Sequence, residues 1–257
     1  LQSLQAVSSE QWEALARTHI FFGHQSVGGN IMSGILDVIA ATPEIQLRVL
    51  ESRDVAARSE PAFHHALVGR NDYPMEKFDD FSRVVSSAFA TGSGIPMPNL
   101  CYVDTHRQTD VDALFGAYQQ RIAELKARNP SLTIVHFTIP LTTVENWKGR
   151  LRAAIERRAT ERERNAKRHR YNQMMRQAYS GKEPLFDIAR LESTLPDGRQ
   201  LLVDVDGDKV PVLVSSYTDD GAHLNATARR MVAEQLLIEL ARLQPARAST
   251  GPLAAGR

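Results

Sequence analysis

The chain has 257 residues, enough for one large domain with a buried core or for two small ones, and we expect one. Hydrophobic residues make up 42% and charged residues 24%, as in ordinary globular proteins. With 31 basic and 30 acidic side chains the formal net charge is +1, so no global field favours nucleic acid or an anionic membrane. The single cysteine, Cys101, excludes an intramolecular disulfide framework.

The sequence contains no run of about 18 apolar residues of the kind that spans a membrane. Its first residue is Leu1 rather than Met, which suggests that an upstream segment was removed. We therefore expect a periplasmic or secreted location and leave a cytoplasmic one open. No pattern in the sequence indicates an oligomeric state.

Apolar strands and amphipathic helices alternate along most of the chain. Alternation at this spacing implies parallel strands joined by helical crossovers. We therefore predict an α/β fold, a three-layer α/β/α sandwich with a flavodoxin-like parallel sheet. The strand candidates are 18–22, 45–50, 100–103 and 132–139; the helix candidates are 27–42, 75–89, 114–125 and 226–243; 51–74 reads as irregular and 91–98 as a loop.

A stretch dense in Lys, Arg and Glu, about 144–180, interrupts this alternation. Its apolar positions are sparse until Tyr171, Met174 and Met175, so we interpret it as a solvated helical excursion with ion pairs between residues four apart. A basic flank that attracts an acidic polymer is the alternative interpretation.

Two further segments complete the chain. Strand candidates 201–204 and 210–214 flank the turn Asp206-Gly207-Asp208, which predicts a hairpin. The same run resembles the start of a calcium loop, but its twelfth position is Ser215, where an acidic residue is needed, which argues against calcium. We predict a single domain over 1–244 and a disordered tail over 245–257.

Ser26 is the candidate nucleophile. It follows the first strand and stands at the start of a helix, where free N–H groups and the helix dipole favour a developing negative charge. Gly28 and Gly29 after it are expected to let the backbone approach a substrate closely. The plainer interpretation is that Ser26 only caps the helix.

Asp220 and His223 are the candidate partners of that serine. Their spacing of three lets a carboxylate reach Nδ1 of the imidazole and leaves Nε2 free to act as a base. Asp219 is a competing candidate for the carboxylate. In a parallel α/β sheet this loop and the loop of Ser26 should both lie at the carboxyl ends of the strands.

These two segments resemble a known family. Phe22-Gly23-His24-Gln25-Ser26-Val27-Gly28 and Asp220-Gly221-Ala222-His223-Leu224-Asn225 are similar to the first and last sequence blocks of the SGNH (GDSL-like) hydrolases. The resemblance covers about 15–243. It implies a triad of Ser26, His223 and Asp220 and a serine esterase that hydrolyses acyl esters, with acetyl esters of a carbohydrate favoured and no cofactor.

The family resemblance also implies an oxyanion hole, built from the serine N–H, a glycine N–H from the second block and an asparagine side chain from the third. Gly69-Arg70-Asn71-Asp72 spells the third block but follows the second strand candidate. We expect Ser26, Gly69 and Asn71 to form the hole together. His24, Gln25 and His106 are the candidates for lining the substrate pocket.

Two rival interpretations remain open. The first is a metal-dependent hydrolase. Two observations argue against it: the adjacent histidines His64 and His65 are poor joint ligands, and the sequence has no H-E-x-x-H spacing. Its candidate ligands are His64, His65, His106, His136, Asp104 and His223. The second is a degenerate hydrolase fold that binds carbohydrate or acts as a scaffold. Two departures from the family favour it: Gln25 stands where the first block has an aspartate, and the third predicted strand is followed by Asp104-Thr105-His106-Arg107 without an asparagine.

Overall fold

Four parallel strands form the centre of the molecule in the order β2-β3-β1-β4. They are β1 (Ile20–His24), β2 (Val49–Glu51), β3 (Phe63–Leu67) and β4 (Ile95–Pro98). This computed structural model describes residues 1–55, 60–145, 156 and 159–243. All the strand pairs in this sheet are parallel, so every carboxyl end lies at the same edge.

A second parallel pair, β5 (His136–Phe137) and β6 (Leu185–Phe186), continues the sheet beyond β4. Thr133 and Val135 donate their N–H groups to the carbonyls of Gly94 and Pro96, at 3.0 and 3.2 Å. Pro96 has no N–H to return, because a proline nitrogen carries no hydrogen. A parallel bridge between Gly94 and Leu132 also belongs to this join.

Helices cover both faces of the sheet. One face carries α1 (Ser9–Ala16), α2 (Ser26–Ala41) and the last helix, and the other carries α3 (Pro74–Ala88), α4 (Val111–Arg128) and α5 (Glu161–Tyr179). Successive residues of β1 serve opposite cores, with Ile20 and Phe22 in one and Phe21 in the other. The short α6 (Ile188–Ser193) and the last helix, α7 (Ala226–Arg242), complete the first face.

Most of the predicted helices are confirmed within one turn. Helices α2, α3, α4 and α7 match the four candidates, and Asp110 caps α4 by accepting the N–H of Ala113. The predicted hairpin is confirmed as β7 (Leu202–Val205) and β8 (Asp208–Pro211), which pair antiparallel. Asp206 and Gly207 form its turn with φ of +51° and +93°.

Two strand predictions are wrong. The segment 51–74 was expected to be irregular, but 63–67 forms β3 at the heart of the sheet, with His64 fully buried. The strand expected at 100–103 lies instead at Ile95–Pro98, and Tyr102–Asp104 is a 3-10 turn. Strand β4 was missed because it contains Pro96 and Pro98, and prolines normally end strands. They are tolerated here because Ile95, and Asn99 just beyond the strand, donate their N–H groups toward β1.

The interpretation of the charged stretch as a solvated excursion is also wrong for its described part. Helix α5 packs on the core through Tyr171, Met175 and Tyr179, and it buries Arg168 to 1% exposure. Residues 146–155, 157–158 and 244–257, which include all of the predicted tail, lie outside the described residues. No helix in the described ranges is both long and apolar enough to cross a membrane.

Candidate active site

Ser26 is the first residue of α2, directly beyond the carboxyl end of β1. The capping position belongs to Gln25, whose side chain makes no cap hydrogen bond. Ser26 is therefore not the helix cap, and the amino end of α2 has no side-chain acceptor for its free N–H groups. The side chain of Ser26 is exposed, and its Oγ lies 3.7 Å from Sγ of Cys101.

The ring of His24 fixes the turn before Ser26. His24 is 4% exposed; its Nδ1 lies 2.8 Å from the carbonyl of Gln25 and its Nε2 lies 3.1 Å from Nδ1 of His65. Burial lowers the pKa of His24 to about 4, so the ring is neutral and donates through Nδ1. His24 thus supports the turn and does not line an open pocket, contrary to the expectation.

Gly28, two residues after Ser26, is required for packing against His24. A Cβ added to Gly28 would lie 2.2 Å from Cβ of His24, so only glycine fits against that ring. A Cβ added to Gly29 would meet no atom within 4 Å. Gln25 is half-buried, and its side-chain amide donates to the carbonyls of Val68 and Gly69 at 2.9 and 3.0 Å, which ties this turn to the loop after β3.

Asp220 and His223 form a hydrogen-bonded pair. Nδ1 of His223 donates to Oδ2 of Asp220 at 2.6 Å, and Oδ1 accepts the backbone N–H groups of Ala222 and His223 at 2.9 and 2.8 Å. These hydrogen bonds hold the pKa of Asp220 far below its ordinary range. Asp220 is therefore an anion at every pH near neutral, and the imidazole keeps its Nε2 free as an acceptor.

The turn of Cys101 and Tyr102 touches both loops. The thiol of Cys101 contacts the Ser26 hydroxyl, and the Tyr102 ring packs against the His223 ring with centroids 5.7 Å apart and planes at 78°. The candidate nucleophile and the candidate base thus both contact this dipeptide. The loop of His223 is also anchored by Gly221, at φ +90°, whose carbonyl accepts the N–H of Thr143 at 2.8 Å.

The expected role of Gly69 is not met in this structure. Its N–H donates to Oδ2 of Asp80 at 2.8 Å, so it is not free for an oxyanion. Its φ of +56° and the 2.6 Å separation between an added Cβ and the backbone N of Lys77 explain the glycine instead. Asn71 is exposed, and its Oδ1 accepts from Nζ of Lys77 at 2.9 Å, which leaves the Nδ2 hydrogens directed away from that contact.

A buried ion pair lies under this edge of the sheet. Nζ of Lys77 is 2.6 Å from Oδ2 of Asp104, and the two side chains are 2% and 0% exposed. Asp104 also accepts the N–H of Cys101 at 2.7 Å and that of Asp72 at 3.2 Å. Burial raises the pKa of Asp104, and Lys77 opposes that shift. Because Lys77 also binds Asn71, one pair fixes both the Asn71 loop and the turn beside Ser26.

Asn99 is a residue that sequence reasoning missed. It follows Pro98 at the end of β4, the strand on the other side of β1 from β3, and its N–H donates to the carbonyl of Gly23 at 3.0 Å. Its side chain is 3% exposed and both polar atoms lack a hydrogen-bond partner. The sequence did contain the expected pattern, an asparagine after an apolar segment, as in the third block of the family. It was overlooked because the strand was predicted at 100–103 and lies at Ile95–Pro98.

The remaining candidates are scattered. His106 is partly exposed with Nε2 3.3 Å from Oδ1 of Asp72, beside the Asn71 loop. His136 is fully buried between the Tyr118 hydroxyl at 2.5 Å and Oε2 of Glu183 at 3.2 Å, as a structural histidine. Within the described residues, no group of three or more His, Cys, Asp or Glu side chains is arranged to hold a metal ion.

The comparisons with known proteins concern the fold. No protein-family model and no curated protein sequence matches this chain. A structure from Streptococcus pneumonia, provisionally described as a platelet activating factor, matches with a TM-score of 0.51 at 14% identity, over 92% of this chain and 94% of that one. Weaker matches are a GDSL-like lipase from Bacteroides thetaiotaomicron (TM-score 0.48, 12% identity, 92% and 99% covered) and an acetyl xylan esterase (0.48, 16%, 85% and 97%).

At these identities the likeness shows a shared fold. The parallel three-layer α/β/α sandwich expected from the sequence is therefore confirmed. Ser26 lies at the carboxyl edge of this sheet, and the pair of Asp220 and His223 contacts the Cys101–Tyr102 turn beside it.

Proposed function

We propose that this chain, with its SGNH-type fold, is a serine esterase in which Ser26 is the nucleophile, His223 the general base and Asp220 the residue that orients it. The observation that carries the proposal is the Cys101–Tyr102 turn, which contacts Ser26 through its thiol and His223 through its ring. A helix-end hydroxyl and a carboxylate-bound imidazole beside the same turn are the parts that acyl transfer needs.

The first chemical step transfers the acyl group to the enzyme. The Ser26 hydroxyl rotates from Cys101 toward Nε2 of His223, loses its proton to that nitrogen and attacks the ester carbonyl carbon. The carbon–oxygen bond to the alcohol then breaks, and the imidazolium gives its proton to the departing alkoxide. Asp220 stays ionised throughout and stabilises the imidazolium through the 2.6 Å hydrogen bond.

The second step releases the acid. Water gives a proton to Nε2 of His223 and attacks the acyl-enzyme carbonyl, and the proton then returns to Ser26 Oγ as the ester bond breaks. In both steps the carbonyl oxygen becomes negatively charged. The free N–H groups at the amino end of α2 are proposed to stabilise that charge, because the helix dipole is positive there.

The side-chain donor for the oxyanion is proposed to be Asn71. Lys77 holds its Oδ1, so the amide is oriented before substrate binds, and preorganised donors are the effective ones. Asn99 is the second candidate, supported by its place after β4 and by its buried amide without a partner. Gly69 is not proposed as an oxyanion donor, because its N–H donates to Asp80.

For the substrate we propose a short acyl ester, with acetyl groups on a carbohydrate favoured. The basis is the family resemblance and the lack, in the sequence, of a large apolar segment that could cover a lipid chain. A periplasmic or secreted location also remains part of the proposal.

The test is a panel of p-nitrophenyl esters from acetyl upward, together with acetylated sugars, assayed on the wild type and on Ser26→Ala. We expect acetyl to be the best acyl group, loss of turnover in the variant by several orders of magnitude, and unchanged rates in EDTA. Turnover that is equal in both proteins would exclude a serine mechanism. Sugar binding without turnover would favour the carbohydrate-binding alternative, and loss of rate in EDTA a metal-dependent one.

A further inference from the structure

Helix α5 binds the segment after β5 through side chains on its buried stripe. Oδ1 of Asn172 accepts the N–H of Ile139 at 2.7 Å, and its Nδ2 donates to the Ile139 carbonyl at 2.9 Å. Asn165, seven residues earlier on the same stripe, binds Thr142 in the same way: its Oδ1 accepts the N–H at 3.2 Å and its Nδ2 donates to the carbonyl at 2.8 Å. These amides satisfy buried backbone groups as a neighbouring strand would, so the path from β5 to Thr142 is fixed by α5.

Arg168 lies between the two asparagines and connects this segment to the turn beside Ser26. It is 1% exposed; its Nε donates to the carbonyl of Tyr102 at 3.0 Å and its Nη1 donates to Oγ1 of Thr142 at 2.7 Å. The guanidinium also lies 5.8 Å from the centroid of the Tyr102 ring. The Thr142 hydroxyl in turn donates a hydrogen bond to Oε2 of Glu161 at 2.7 Å.

Both of these contacts lead to His223 by a short route. The ring of Tyr102 packs against the imidazole itself. On the other side, the residue after Thr142 donates its N–H to the carbonyl of Gly221 at 2.8 Å, within the loop that carries Asp220 and His223. Tyr102 is thus the one residue between Arg168 and the imidazole on the ring side, and the path on the other side runs through Thr142, Thr143 and Gly221.

A charged group in this place is costly unless its hydrogen bonds are used. Burial lowers the pKa of the Arg168 guanidinium, and Glu161 opposes that shift. An apolar side chain of similar volume would pack without the desolvation cost, as replacements of buried ion pairs in other proteins show. A guanidinium with its planar fork can bind a backbone carbonyl and a hydroxyl from two different segments at once, which an apolar side chain cannot.

We propose that Arg168 is a positioning residue for the His223 imidazole, which it holds through Tyr102 on one side and through Thr142 and the Gly221 loop on the other. The inference rests on the proposed esterase function. It assigns the charged helix a part in the site, because α5 would fix the distance between the base and Ser26.

The experiment compares Arg168→Met with a matched variant of the same helix, Arg176→Met. Arg176 is also partly buried and donates to Asp187 at 2.7 and 2.8 Å, away from the site. We expect Arg168→Met to lower kcat by about 10- to 100-fold with KM within about twofold, because a misplaced base costs rate more than binding. The kcat of Arg168→Lys should lie between those of the wild type and of Arg168→Met, and Arg176→Met should keep the kcat of the wild type.

Two readouts separate positioning from a merely structural role. The rate at which an organophosphate labels Ser26 should fall with kcat, and the far-downfield proton resonance of the Nδ1–H that His223 shares with Asp220 should shift or broaden in Arg168→Met but not in Arg176→Met. A folded Arg168→Met protein with unchanged kcat and an unchanged imidazole resonance would overturn the proposal.

A second variant keeps the test informative if Arg168→Met does not fold. Tyr102→Leu removes the ring that touches His223 and retains the carbonyl to which Arg168 donates, and it should also lower kcat and move the imidazole resonance. Unchanged values would contradict the proposal. If the wild type neither hydrolyses esters nor is labelled at Ser26, the proposed function fails, while the resonance still reports whether Arg168 holds His223.

Discussion

Replacing Asp220 by Asn removes the orienting carboxylate and keeps the shape of the loop. The asparagine Oδ1 can still accept the N–H groups of Ala222 and His223, which Asp220 holds at 2.9 and 2.8 Å. In place of Oδ2, 2.6 Å from Nδ1 of His223, the variant presents an N–H donor. The imidazole then keeps its proton on Nε2, where it cannot accept the proton of Ser26.

The expected loss follows from that change of tautomer and from the exposure of the pair. Substitution of the aspartate by asparagine lowers kcat by about 10⁴-fold in the serine protease triad. Here the Asp220 side chain is 55% exposed, so solvent screens part of its interaction with the imidazolium. We therefore predict that kcat falls by about 10²- to 10⁴-fold, which is roughly 3 to 5 kcal/mol of transition-state stabilisation.

The assay is kcat on a p-nitrophenyl ester, with Asp219→Asn as the matched control. Asp219 is the adjacent exposed carboxylate, and its replacement should leave kcat within about twofold of the wild type. Thermal unfolding of both variants shows whether the loop is intact. A kcat for Asp220→Asn within tenfold of the wild type, or an equal loss in Asp219→Asn, would refute the assignment of the orienting carboxylate.

Three further predictions concern the oxyanion donor, the buried ion pair and a buried acid. Asn71→Ala should lower kcat by about 10²- to 10³-fold, and a loss seen only in Asn99→Ala would transfer the donor role. Lys77→Met leaves the buried Asp104 without its cation and should cost about 3–5 kcal/mol in urea unfolding; a cost under about 1 kcal/mol would show that the pair is not structural. Burial raises the pKa of Glu192 from its ordinary 4.5 to about 8, so the folded state binds the extra proton and stability falls as pH rises between those values. Glu192→Gln should therefore gain stability over the wild type across this range, as measured by unfolding at pH 5 and pH 8, and a constant difference between the two proteins would contradict the titration.

Local signals carried most of what the sequence predicted correctly. Helix α2 follows from apolar residues at helical spacing, and the hairpin follows from the turn at Asp206 and Gly207. The pairing of Asp220 with His223 needs only residues three apart on one turn, so it could be expected without knowledge of the fold. Ser26 stood out because the residues on both sides of it mark a strand and a helix.

What the sequence did not predict depends on partners distant in the chain. The strand that ends at Pro98 contains two prolines, and they are tolerated because its donors toward β1 come from other residues. Asn99 therefore fell between the predicted loop and the predicted strand, and its position beside β1 was missed. The buried role of Arg168 was equally hidden, since its acceptors at Tyr102 and Thr142 are brought to it only by the folded sheet.

Covalent labelling of Ser26 tests the central claim most directly. The native protein is treated with an organophosphate, the intact mass is followed with time, and the modified peptide is sequenced, in the wild type and in His223→Ala. We predict one adduct per chain on Ser26, formed more slowly in the variant by several orders of magnitude. An adduct on another residue, or one that forms on Ser26 at the same rate without His223, would contradict the convergence of the two loops on which the esterase depends.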